Sequence, residues 1–146
     1  MKISIACDHG ALALKNVLIG HLTAQGHEVI NFGTNTLESC DYPDFAAKAA
    51  RAVADGECEK GIVLCTTGIG VSITANKIDG IRCALLSDLM TARMTREHND
   101  TNMMALGAGV VGEMLALEIV DTWLSTEFSH NERHQRRIDK VMALEK

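Results

Sequence analysis

Aromatic residues are scarce in this chain: three Phe, one Tyr and one Trp make up 3% of its 146 residues. A core without large rings has to be assembled from Ala, Leu, Ile, Val and Met. The apolar share of 47% leaves enough of them for one well-buried core, and the length fits one domain, residues 1–146. Basic charge is in deficit as well. Fourteen Lys and Arg stand against nineteen Asp and Glu, a net charge of −5, which argues against a nucleic-acid partner. Such a partner requires a clustered basic face, and the one basic cluster, Arg133 to Arg137, is too small for a polyanion. No apolar run approaches the ~20 residues of a membrane span, so no membrane association is expected. The five cysteines, at 7, 40, 58, 65 and 83, are odd in number and form no C-x-x-C pair. With no apolar signal segment in "MKISIACDHG", they read as free thiols of a cytoplasmic protein.

What is present is an alternation of short β-rich runs with longer helical ones. "ISIAC", "HEVINFG", "GIVLC", "IRCALLS" and "MMALG" read as strands. Between and after them "ALALKNVLIGHLTAQG", "DFAAKAARAVADG", "VSITANKI", "DLMTARMTREHN", "EMLALEIVDTWLSTEF" and "NERHQRRIDKVMALEK" read as helices. Pro43 sits early in the second helix, where no N–H is needed, and Asp88 is placed to cap the fourth. Such alternation implies parallel pairing with helices on both faces. The expected fold is a Rossmann-like three-layer α/β/α sandwich around five parallel strands, in an order that the sequence does not specify. In such sheets ligands bind beyond the carboxyl ends of the strands, which singles out Cys7 to His9, Cys65 to Gly70, and Ser87 with Asp88.

"CTTGIG", Cys65 to Gly70, joins a buried strand to a helix through a loop with few side chains. It is no Walker loop, since no G-K-[ST] closes it, and Ile73 stands where a dinucleotide fingerprint needs its third Gly. Two readings remain: a tight turn that needs glycine for geometry alone, or a row of N–H groups suited to an anion or an oxyanion beside a thiol. "DHG" at Asp8 to Gly10 shares that rim. His98 and Asn99 in "REHNDTN" read as a solvated helix end when taken alone. Arg133 and Arg137 of "RHQRR" lie on one helix face, either solvated or, with His134, a clamp for one phosphate. His130 and His134 are spaced one helical turn apart but have no third ligand at a natural spacing, so no metal is expected. The methionines at 90, 94, 103 and 104 read as core filler.

Taken in order, "ACDHGALALK", "FGTNTLESCDYPDFA", "GIVLCTTGIGVSITANKI", "REHNDTNMMALG" and "RHQRRI" resemble the type B ribose-5-phosphate isomerases. That family also contains galactose-6-phosphate and allose-6-phosphate isomerases, and the likeness spans essentially the whole chain. It implies an α/β/α fold whose C-terminal helix reaches toward a partner subunit, and aldose–ketose isomerisation of a sugar phosphate, in the pentose phosphate pathway for ribose 5-phosphate, with no metal or other cofactor. It also implies a homodimer, or a dimer of dimers, with active sites at the subunit interface. By position, Cys65 is similar to the family's catalytic base, Thr67 to the residue that assists ring opening and His98 to the acid/base that opens the ring. Asp8, His9, Tyr42 and Asn99 match substrate contacts. Thr66, Gly68, Ile69 and Gly70 match the loop that holds the enediolate. Arg133 and Arg137, with His134 between them, match the phosphate contacts.

Members that use a Glu as base carry it where this chain has Val71, which cannot take a proton. The chain departs from the family at Thr66 and Ala11, where Gly is usual, and at Gly109, where an arginine commonly helps to bind phosphate. Arg136 lies about 100° round the helix from Arg137. The leading expectation is interconversion of ribose 5-phosphate and ribulose 5-phosphate. A six-carbon substrate such as allose 6-phosphate or galactose 6-phosphate is the alternative, toward which "LLSDLMTA" leans. A phosphate- or nucleotide-binding module on a similar sheet is the reading from another class. Such a module has no need of Cys65, His98 and Arg137 together.

Overall fold

The computed structural model describes residues 1–146. Five strands form one parallel sheet: β1 (Lys2–Cys7), β2 (Glu28–Asn31), β3 (Lys60–Cys65), β4 (Cys83–Leu85) and β5 (Met103–Gly107). Their order across the sheet is β2-β1-β3-β5-β4. The helices are α1 (Leu12–Ala24), α2 (Tyr42–Ala54), α3 (Ile69–Asn76), α4 (Leu89–Asn99), α5 (Glu113–Ser125) and α6 (Glu132–Met142). A single 3-10 turn, His9–Ala11, leads into α1. No helix is long and apolar enough to cross a membrane.

The central strands are buried on both faces, and their side chains alternate between two cores. Ile3, Ile5, Ile62, Leu64, Met104 and Leu106 pack with α1 and α5 around Trp123, the only tryptophan. Ala6, Val63, Cys65, Met103 and Ala105 face α2 and α3. The second core is thin because α2 presents Ala46, Ala49 and Ala50 to the sheet. Opposite them the strands carry small residues. Ser4 is fully buried and donates its hydroxyl to the Ala49 carbonyl (3.0 Å). A Cβ on Gly61 would lie 2.7 Å from both Met103 Cε and Ser4 Oγ. Alanine and glycine thus let the helix approach where the aromatic-poor composition supplies no bulk.

Pro43 lies in the first turn of α2, and Asp88 caps α4 by accepting the Thr91 N–H (2.7 Å). Two expectations need correction. The fourth strand is three residues long, not seven. Ile81 closes a turn onto the Ile78 carbonyl, while Asn102 and Asn76 side chains accept the Arg82 and Cys83 N–H groups. Met90 is no core residue but 62% exposed, in the first turn of α4 at the edge of the sheet.

Lys15 is fully buried without a carboxylate partner. Its ammonium donates to the side chains of Asn31 (3.1 Å) and Asn35 (2.8 Å) and to the Thr34 carbonyl, tying α1 to the segment after β2. Burial lowers its pKa, with the neighbouring Cys7 opposing. Packing at Gly61 is the point most sensitive to added volume. Gly61→Ala is expected to cost about 1–3 kcal/mol by overpacking. Urea denaturation should show a lower midpoint at an unchanged slope.

Candidate active site

Parallel pairing places Cys65 at the carboxyl end of β3, level with Gly107 on β5. Beyond the strands the two loops stay joined, because Ala108 N–H donates to the Cys65 carbonyl and Gly109 N–H to the Thr66 carbonyl, both at 2.9 Å. The chain then turns sharply at Gly68, whose φ is +77°. A Cβ there would strike Leu85 Cδ1 at 2.5 Å and the Leu106 carbonyl carbon at 2.8 Å. Only glycine fits both the left-handed backbone and the space. The turn aims the Gly68 N–H at Cys65 Sγ (3.1 Å) and the Ile69 N–H at Thr67 Oγ1 (3.2 Å), with Sγ and Oγ1 4.0 Å apart. The loop is therefore not a row of vacant amides. Two of its donors are directed at the thiol and the hydroxyl.

Cys65 is 6% exposed. Burial pushes the thiol of Cys7, at the end of β1, up to about 11 and that of Cys83, at the start of β4, up to about 12. Val71 is buried in the same core as Cys65. Asp8, Tyr42 and His9 flank the loop. Asp8 is buried, and its Oδ1 accepts the Gly10 N–H (2.9 Å). The Tyr42 ring lies over Gly70, where a Cβ would come within 2.4 Å of it. His9 Nδ1 accepts the Cys40 N–H (3.3 Å), so in the neutral ring the proton sits on Nε2 and is available as a donor.

His98 and Asn99 are elsewhere. They end α4, which runs back from the carboxyl edge of the sheet, and Met103 begins β5 opposite Gly61, near the start of β3. The length of β5 separates that edge from Cys65, on the order of 13 Å for a four-residue rise. Within one chain the expected residues fall into two groups at opposite edges. The second group lines a cleft of about 1140 Å³ that contains His98, Asn99, Arg133, His134 and Arg137 and excludes Cys65, Thr67, Asp8, His9 and Tyr42. His134 and Ile138 seat α6, which leaves both arginines exposed. The rings of His98 and His134 are tilted against each other with centroids 4.3 Å apart, and Ser129 Oγ meets His134 Nδ1 at 2.8 Å. Arg136 faces a different hollow, with Glu132, Gln135 and Asp139, so it does not join Arg133 and Arg137.

His130 is not one turn before His134. It precedes the α6 cap with φ +55° and packs edge-on against Phe128. No three His, Cys, Asp or Glu side chains come together as metal ligands.

Sequence reading missed what holds the His98 end in place. Arg96 is buried and donates to Asp100 Oδ1 (2.8 Å) and to the Thr101 (2.6 Å) and Thr126 (3.2 Å) carbonyls. The Trp123 indole lies 5.9 Å from the guanidinium, and its Nε1–H donates to Thr101 Oγ1 (3.0 Å). Asp100, in the left-handed region at φ +44°, ends α4 directly after Asn99. The i, i+4 spacing of Arg96 and Asp100 was the available signal.

A parallel α/β sandwich with a thiol held by a glycine turn at one edge and an arginine–histidine helix at the other defines the class. The family model described as Ribose/Galactose Isomerase matches residues 3–141. Ribose-5-phosphate isomerase B of Escherichia coli is 46% identical over 99% of this chain and 96% of its own length. Ribose-5-phosphate isomerase B of Clostridium thermocellum superposes with a TM-score of 0.97 at 53% identity, covering 99% of this chain and 97% of that one. Galactose-6-phosphate isomerase subunit LacB of Clostridium acetobutylicum is 38% identical over 99% of this chain and 83% of its own length. The chain belongs to the ribose/galactose isomerase family.

Burial, then His98, Arg133 and Arg137, push the pKa of His134 below its ordinary value. The folded state therefore favours the neutral ring. Stability from this group is full above the unfolded pKa near ~6.5 and is lost as pH falls from there to the folded value. An NMR titration of the His134 ring should give a midpoint below that of free histidine. His98→Ala or Arg137→Ala should raise it.

Proposed function

We propose that the chain, as one domain spanning residues 1–146, is a type B ribose-5-phosphate isomerase that interconverts ribose 5-phosphate and ribulose 5-phosphate in the cytoplasm. The enzyme class rests on the whole-length similarity to ribose-5-phosphate isomerases B. The observation that carries the residue assignment is the Cys65 thiol, held at the carboxyl edge with the Gly68 N–H on its sulfur and the Thr67 hydroxyl beside it.

The chemistry follows from those groups. The bound furanose first opens: the anomeric hydroxyl loses a proton and the ring oxygen gains one, with His98 as acid/base and Thr67 orienting the oxygen. Cys65 then takes the proton from C2 of the open-chain aldose, and the electron pair forms a cis-enediolate across C1 and C2. A proton then passes from the C2 oxygen to the C1 oxygen, and Cys65 returns its proton to C1, which gives the ketose and regenerates the base, so atoms and charge balance. The enediolate carries negative charge on oxygen, and the loop N–H groups that are not directed at the thiol and the hydroxyl, those of Thr66, Thr67 and Gly70, are the ones left to stabilise it. Asp8, His9, Tyr42 and Asn99 hold sugar hydroxyls, and Arg133 and Arg137, with His134, hold the phosphate.

Because the two groups of residues lie at opposite sheet edges, this scheme requires a second copy of the chain. A homodimer brings the His98–Arg137 cleft of one protomer to the Cys65 loop of its partner. The exposed apolar residues Ile69, Ile73, Leu85, Leu89 and Met90, gathered near the Cys65 edge, support such a contact.

Cys65→Ala is expected to fold normally and to lose nearly all isomerase activity. The shared site gives a sharper test. Cys65→Ala and His98→Ala chains, each inactive alone, should regain roughly a quarter of the wild-type activity after equal mixing and reassociation, since half the dimers are mixed and each has one intact site. A mixture that stays inactive argues that both residues act from one chain.

Arg137→Ala is expected to raise KM for the sugar phosphate by about one to two orders of magnitude, the loss of one or more charge-assisted hydrogen bonds. Lys should restore only part of this, lacking the planar fork. An unchanged KM would mean that phosphate binds elsewhere.

A further inference from the structure

Three residues at the Cys65 edge share one small volume. The side chain of Thr66 projects from the loop after β3 between the loops after β1 and β5. A Cβ built on Gly10 would lie 2.3 Å from Thr66 Oγ1, closer than any real contact. A Cβ built on Gly109 would lie 3.1 Å from Thr66 Cγ2 and 3.1 Å from its carbonyl oxygen. Neither glycine is among those with a positive φ, so the backbone itself admits a side chain at both positions. At Gly10 it is the Thr66 side chain that excludes one, and at Gly109 the Thr66 methyl and backbone carbonyl crowd it together. The three loops are fixed to one another by the Gly109 N–H, which donates to the Thr66 carbonyl (2.9 Å), and by the Asp8 N–H, which donates to the Leu64 carbonyl (3.2 Å). The threonine therefore cannot be relieved by moving the loops apart. Its side chain is exposed and stands next to Cys65 in the chain, so on the isomerase reading it forms part of the wall beside the reacting carbons.

We propose that Thr66 is the residue that sets the length of sugar phosphate this site accepts, with Gly10 and Gly109 left bare to accommodate it. This rests on the isomerase reading above. The reacting carbons are held at Cys65 and the phosphate is held at a separate arginine cleft, so the distance between them must match the carbon chain. A side chain wedged in the wall between the loops narrows that span. Relatives of the same fold carry names for five-carbon and six-carbon substrates, so chain length is the property that varies at constant chemistry. One carbon in a shaped pocket is worth about 10- to 200-fold in discrimination.

The experiment measures kcat/KM for ribose 5-phosphate and for allose 6-phosphate with wild type, Thr66→Gly and Thr66→Val. Thr66→Gly is expected to raise the six-carbon to five-carbon ratio by about tenfold or more. Thr66→Val keeps the volume without the hydroxyl and should leave the ratio near wild type. In parallel, thermal unfolding is measured for Gly10→Ala and Gly109→Ala in the Thr66 and the Thr66→Gly backgrounds. Gly10→Ala should destabilise the first and be tolerated in the second, a non-additive cycle, while Gly109→Ala, which also meets the position 66 carbonyl, should be relieved only in part. Activity of wild type on ribose 5-phosphate with an unmoved ratio in Thr66→Gly, or strictly additive stability effects, would overturn this inference while leaving the isomerase reading intact. A wild type active on neither sugar would overturn both.

Discussion

Everything at the two edges depends on the parallel pairing of β3 with β5. Parallel strands point the same way, so the loops that follow them collect at one edge and the returning helices deliver their carboxyl ends to the other. The register of Cys65 with Gly107 puts the thiol loop beside the loop after β5, and that of Gly61 with Met103 puts the end of α4 a full strand away. No local change of side chains brings His98 to Cys65 within this chain. The division of the expected catalytic groups is a property of the topology.

Small residues perform at the carboxyl edge the function they perform under α2. Gly61 and Ser4 admit a helix to the sheet, and Gly68 and Gly107 admit one loop to another. At Gly107 a Cβ would fall within 2.6 Å of the Thr67 carbonyl. Backbone held this tightly fixes the direction of the Gly68 and Ile69 amides without help from large side chains. A chain poor in aromatics obtains a rigid site through close approach.

The alternation of strands and helices was legible because periodicity and caps are local: Pro43 and Asp88 stand where their chemistry predicts. The thiol loop was legible for the same reason, since strand end, turn and helix start are adjacent in sequence. The length of β4 was not, because Asn76 and Asn102 intercept its backbone from elsewhere in the chain. Nor was the separation of His98 from Cys65, which depends on the strand order β2-β1-β3-β5-β4. His130 was misread because a positive φ takes it out of helical register. Lys15 and Arg96 look like surface residues on a helical wheel and are buried, since backbone carbonyls and, for Lys15, two amide side chains accept from them, partners that composition does not reveal.

The buried Arg96 has a consequence for the entropy of the reaction. Its guanidinium links the last turn of α4, the start of β5 and the carboxyl end of α5 into one body, packed on the largest ring in the protein. Asn99 follows within three residues and His98 within two. Their backbone freedom is therefore surrendered when the chain folds and not when a ligand arrives, a saving of about 1–2 kcal/mol for each residue so fixed. Binding then has fewer degrees of freedom left to remove, and the histidine edge behaves as part of the core although it faces solvent.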